Sequence, residues 1–208
     1  MKPSIYLSIF VASIFILIAP LRMQAQSDVM NESQQIEAAV SPVPDKMKDG
    51  AKVLGYNSDG KLQVLRQGNN QLICVADDPE QDNFHVACYH KDLEPFMERG
   101  RELKSQGLSR EKVDSIRYKE IESGKITLPE KPMALYSLTG PQNGYDHTTG
   151  MIKKASPLYV VYVPYATEES TGLSKKPVSK GAPWIMEPGT PWAHIMVMTG
   201  RKIGGESE

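Results

Sequence analysis

Apolar positions along the chain change period twice, from two residues to a helical repeat and back to two. Leu62 and Val64 stand against Gln63 and Leu65 with the alternation of a strand. Three such runs, Ala51 to Tyr56, Lys61 to Arg66 and Gln71 to Ala76, are separated by Asn57-Ser58-Asp59-Gly60 and Gly68-Asn69-Asn70. Gly and Asn supply the positive-φ positions that hairpin turns require, so a small meander is predicted. In Asp92 to Ser105 the apolar residues Leu93, Phe96, Met97 and Leu103 recur at helical spacing, with Asp92 as the N-cap and Gly107 as the stop. In Glu111 to Ser123, Val113, Ile116 and Ile121 mark one face, Ser109 caps the start and Gly124 ends it. Strands return at Met133 to Leu138, Leu158 to Val163 and Trp192 to Thr199, with Ile185 and Met186 as a short edge. Both alternating sets of Trp192 to Thr199 are largely apolar, which predicts a central strand covered on both faces. Strands, then helices, then strands predict an α+β fold: a mostly antiparallel sheet with two central amphipathic helices.

Outside this pattern lies the amino-terminal stretch. Lys2, an apolar run from Ile5 to Ala19, and then Gln24-Ala25-Gln26 have the positive, apolar and small-residue regions of an export signal. The run is short of the ~20 apolar residues a spanning helix needs and is followed by Pro20 and Arg22, so cleavage after Ala25 is expected rather than a stable membrane span. Residues 26–48 are polar, and Pro42 and Pro44 interrupt any helix begun at Glu32 to Val40. The expected organisation is a signal peptide at 1–25, a polar leader at 26–48, one α+β domain at 49–203 and a disordered tail at 204–208. Asn31-Glu32-Ser33 also matches a glycosylation acceptor.

Charge narrows the range of partners. The chain has 24 Lys plus Arg and 25 Asp plus Glu; removing Lys2 and Arg22 with the signal leaves 22 against 25, a charge near −3. Such a balance offers no basic face to displace the counterions of DNA or RNA, and no nucleic-acid partner is expected. Cys74 and Cys88 are the only cysteines, and an even count in an exported chain points to one disulfide. Closing a loop of about 15 residues is worth ~3 kcal/mol in the chain-entropy account. The sharper alternative, zinc held by Cys74, His85, Cys88 and His90, lacks the short C-x₂₋₄-C knuckle.

Several local groupings carry chemistry on paper and a simpler explanation in practice. Asp77-Asp78-Pro79-Glu80-Gln81-Asp82 is oxygen-rich enough for calcium, yet its spacing is not that of an EF-hand loop, and a solvated turn accounts for it. Ser109-Arg110-Glu111-Lys112 fits S-x-x-K, but no S-D-N or K-T-G accompanies it and a helix start needs a hydroxyl cap there. Tyr145-Asp146-His147 sits in a Gly-rich stretch that reads as a polar hairpin tip with no nucleophile beside it. No metal or cofactor is expected.

The richest segment is Gly181 to Trp192, dense in Pro and Trp, followed by His194 on a strand face shared with Trp192 and Met196. Trp184, Glu187, Trp192 and His194 form the candidate binding surface: flat aromatic area for a sugar or peptide, a carboxylate, and an imidazole that, buried and paired with that carboxylate, titrates near neutrality. The expected activity is non-catalytic binding of a small-molecule, glycan or protein ligand. Two alternatives stand beside it: a metal-assisted hydrolase around His194 and Glu187 with His147 and Asp146, and an envelope structural protein.

The blocks VLGYNSDGKLQVLRQGNNQLICVADDP, ACYHKDLEPFMERGRELKSQGLS, IRYKEIESGKI, YVVYVPYATEESTGL and GAPWIMEPGTPWAHIM together resemble a family of exported bacterial proteins of unknown function. The resemblance implies export to the periplasm or the medium, and implies no activity, cofactor or catalytic residue.

Overall fold

The computed structural model describes residues 30–199. The segment read as a signal peptide and the tail at 204–208 lie outside the described residues.

The structure is α+β. An eight-stranded sheet holds β1 (Lys52–Tyr56), β2 (Leu62–Arg66), β3 (Leu72–Val75), β4 (Asn83–His90), β5 (Met133–Pro141), β8 (Ser156–Tyr162), β9 (Trp184–Met186) and β10 (His194–Met198). Its order is β2-β1-β3-β4-β5-β8-β10-β9, antiparallel throughout except between β1 and β3. A small ribbon of β6 (Tyr145–Asp146) and β7 (Met151–Ile152) extends beyond the end of β5.

The first three strands are not a meander. β3 pairs in parallel with the far side of β1, so the chain leaving β2 must cross the start of β1 in five residues. Gly68 makes the crossing, and a Cβ there would stand 2.2 Å from the Lys52 amide nitrogen. The Asn69 and Asn70 amides then donate to the Gly50 carbonyl, each at 2.9 Å. The expected turn at Asn57–Gly60 is present: Asn57 Oδ1 accepts from the Asp59 and Lys61 amides and Gly60 has φ 71°.

β4, which carries Cys88 and two histidines, is a strand that the predicted elements do not include. Phe84, Val86 and Cys88 are buried on one face, and Tyr89 is buried on the other. Cys74 and Cys88 face each other in register across β3 and β4 and form the disulfide, with Cα atoms 3.9 Å apart. The bridge therefore staples two neighbouring strands.

Helices cover both faces. α1 (Glu32–Val40) lies over β1 to β4 and buries Ala38, Ala39 and Val40, with Val43 following, against Val53, Cys74, Cys88 and Phe84. The stretch read as a polar leader is thus part of the domain, because the prolines that stop the helix come after its buried turn. Asn31 is its N-cap, in a reciprocal capping box with Gln34 at 3.0 Å each way. A four-residue turn of helix, α2 (Asp45–Lys48), leads into β1.

On the opposite face pack α3 (Glu94–Ser105) and α4 (Arg110–Glu122), the two amphipathic helices expected. Leu93, Met97 and Phe96 reach Leu54, Ile73, Tyr89, Met133 and Tyr162 of the sheet. Ser109 caps α4 as expected, accepting from the Lys112 amide. Asp92 does not cap α3: a 3₁₀ turn over Lys91–Leu93 precedes the helix, and Pro95 fills its first turn, where no N–H is missed. β10 is not central either; it lies between β8 and the edge strand β9, and its residues are half-buried except Met198, which is exposed. A last short helix, α5 (Glu168–Thr171), lies in the β8–β9 connection. Among the described residues no helix is long and apolar enough to cross a membrane.

Candidate functional site

The four candidate residues gather at the β9–β10 edge. His194 faces Met186 and Met196 faces Trp184 across the antiparallel pair, so Trp184 and His194 share one sheet face. Tyr162 of β8 stands opposite His194 on its other side, rings 5.3 Å apart. The His194 Nδ1–H donates to the Trp192 carbonyl at 2.7 Å. Burial lowers its pKa, while that bond and the nearby Glu187 charge act the other way.

Trp192 is not a free platform. Its ring is 5.8 Å from Phe96 of α3 and 5.2 Å from Tyr118 of α4, so it seats the helix pair against the sheet. The Arg117 guanidinium lies 3.9 Å from the Phe96 ring on the same cluster. This is packing, worth ~1 kcal/mol per aromatic pair beyond the area it buries.

The exposed ring is one the sequence did not mark. Tyr165 is 65 % exposed and holds φ 62°, and Glu187, also exposed, holds φ 51°. A left-handed conformation at a bulky residue costs ~1–2 kcal/mol and persists only where surrounding structure holds it. Three backbone bonds do so by lacing their two turns together: Val163 to the Ala193 carbonyl, Tyr165 to Thr190, and Gly189 to Ala166, all 2.8 Å. Tyr118 adjoins them; its pKa is raised, first by Glu122, then by burial and by Tyr165. Next to Glu187 lies an open depression of about 400 Å³ lined by Lys175, Ile185, Met186 and Pro188. Positive φ at a non-glycine has no sequence signal, which is why Tyr165 was missed.

A second concavity, about 390 Å³, lies beyond the carboxyl ends of β1, β3 and β5, at the start of α1. Tyr56, Asp77, Asp78 and His147 line it, so the oxygen-rich loop and the hairpin histidine meet there. Asp146 itself is engaged elsewhere: Lys153 at 2.6 Å and the Thr148 and Thr149 amides hold its carboxylate, chiefly the lysine lowering its pKa to about 2. The Asp146–His147 pair is therefore a turn, as its sequence context suggested. His147 lies beyond one end of β5 and His194 is level with the other, and the strand spans roughly 25 Å. Among the described residues no three His, Cys, Asp or Glu side chains come together as a metal-binding group. The constellation needed by the hydrolase alternative is not assembled.

No family model, no curated protein and no solved structure matches this chain.

Proposed function

We propose that the chain is an exported, non-catalytic binding module that holds a glycan-type ligand on the Tyr165–Glu187 turn pair. The observation that carries this reading is the conjunction of two exposed, strained non-glycine residues on turns laced to each other. Strain of this kind is retained where a side chain must be presented at a fixed angle. A solvent-facing tyrosine ring stacks on the C–H face of a sugar, and the Glu187 carboxylate with Lys175 beside it offers hydrogen bonds to hydroxyls. Export rests on the amino-terminal pattern and agrees with the disulfide, since thiol pairs persist oxidised outside the reducing cytosol.

The test is retention of the purified chain on immobilised neutral and amino-sugar oligosaccharides, with Tyr165→Gly and Glu187→Gln as variants. Wild type should be retained and Tyr165→Gly should lose at least tenfold in affinity with its circular dichroism unchanged. Retention on no sugar, or equal retention of wild type and Tyr165→Gly, overturns the reading.

A further inference from the structure

One corner of the sheet gathers exposed cations and exposed apolar side chains. Between Glu169 and Glu187 the sequence has three lysines, Lys175, Lys176 and Lys180, and no acidic residue. Residues 175–181 form the tip of the loop from α5 to β9, and all of them are exposed. The Ile185 amide closes the base of this loop by donating to the Ser174 carbonyl at 3.0 Å, and the Ala182 amide donates to the Ser179 carbonyl at 3.1 Å. A further cation stands at the same end of the sheet. β8 begins where β10 ends, with Leu158 opposite Met198, and the exposed Lys154 lies in the bend before β8. Lys175 reaches back to Glu168 at 3.5 Å, whereas Lys154, Lys176 and Lys180 have no carboxylate within ion-pair distance among the described residues.

Apolar groups stand among these lysines. Val178 is 82 % exposed, more than any other large hydrophobic residue among those described. Met198, 45 % exposed, ends β10 against the same loop, since a Cβ on Gly181 would stand 3.6 Å from its carbonyl oxygen. An aliphatic tip flanked by ammonium groups fits the boundary of an anionic bilayer, where the tip leaves water and the lysines meet phosphate. Nucleic acid would satisfy the lysines alone and leave Val178 in water. Acidic residues stand away from this corner. Glu187 follows β9 at its other end, and Asp77, Asp78, Glu80 and Asp82 lie in the β3–β4 loop. Four strand spacings, roughly 19 Å, separate β4 from β9, about twice the ~8 Å over which physiological salt screens a charge. The lysine corner therefore meets a surface on its own charge.

We infer that this corner docks on an anionic lipid bilayer, with Val178 and Met198 entering the headgroup boundary and Lys154, Lys176 and Lys180 meeting lipid phosphates. Such contact is peripheral and needs no spanning helix. It is independent of the glycan surface at the other end of β9, and either reading stands if the other fails.

The experiment titrates the full chain with phosphatidylcholine bicelles, with and without about 30 mol % phosphatidylglycerol, following the amides of residues 175–181 and the Met198 methyl by NMR, so that contact through another segment is not counted. The anionic bicelles should shift these signals saturably and on the order of 100-fold more tightly than neutral ones, as three lysines near such a surface predict. Lys176→Glu combined with Lys180→Glu should weaken binding at least tenfold, and Val178→Ser about fivefold. All three side chains are exposed, so the variants should fold. Signals unmoved by anionic bicelles, an equal response to neutral ones, or undiminished binding by the double lysine variant would each overturn the assignment. So would equal affinity for soluble inorganic polyphosphate with Val178→Ser unimpaired on bicelles, which would mark a general anion-binding loop.

Discussion

Tyr165 gives its amide hydrogen to the carbonyl of Thr190 at 2.8 Å, and this one bond fastens a strained, outward-facing aromatic residue to the turn that carries Glu187. The contact joins segments 25 positions apart in the sequence. It turns two ordinary turns into one rigid surface.

If the strain at Tyr165 is held for ligand presentation, removing it should improve the fold. Tyr165→Gly relieves ~1–2 kcal/mol of left-handed strain and loses ~0.5–1 kcal/mol to the freer unfolded chain. The net expectation is a protein about 0.5–1 kcal/mol more stable, with binding lost. Urea unfolding beside the oligosaccharide assay checks both halves; a destabilised variant would mean that the ring packs rather than presents.

The raised pKa of Asp77 has a stability signature opposite to that of a paired carboxylate. Between the unfolded value near 3.8 and about 6 the folded state binds more protons, so this group's contribution falls as pH rises through that window and stays low above it. Asp78 and the His85 amide are the groups that face it. Asp77→Asn should therefore be more stable than wild type at pH 7.5, by on the order of 1 kcal/mol after solvent screening. The difference should vanish near pH 4, as chemical denaturation at the two pH values will show.

Glu120 behaves in the ordinary way. Arg99 holds it at 2.8 Å through two nitrogens and Lys125 at 2.6 Å, and the Arg99 bonds chiefly lower its pKa to about 2. Its folded value lies below the unfolded one, so its contribution is full above about pH 4.5 and disappears as pH falls through about 2. Glu120→Gln should loosen the α3–α4 pair by on the order of 1 kcal/mol at neutral pH and match wild type near pH 2. Thermal melts across that range decide it.

Gly68 tests the crossing over β1. Alanine there meets the backbone at 2.2 Å and should cost about 3 kcal/mol or more, since no rotamer relieves a Cβ clash. Gly107→Ala is the control. Its φ of 76° is strained but nothing lies within 4 Å, so about 1 kcal/mol is expected. Equal effects in urea titrations would show that the β2–β3 connection can shift aside.

Much of this protein was legible one segment at a time. Two cysteines allow one bridge whatever their spacing, while the helix start at Ser109, the turn at Asn57 to Gly60 and the alternation of the strands each depend on residues within a few positions of one another. Helix α1 is not legible in the sequence because Pro42 and Pro44 follow it closely, and its apolar Ala38, Ala39 and Val40 gain their stability only from the sheet they pack on. What the sequence could not state is which strand lies beside which, and so which side chains share a space. The parallel β1–β3 pairing, the lacing of Tyr165 to Thr190, and the gathering of Tyr56, Asp77 and His147 around one cavity all join distant segments. Their energies come from burial and desolvation, which exist only once the chain has closed around them.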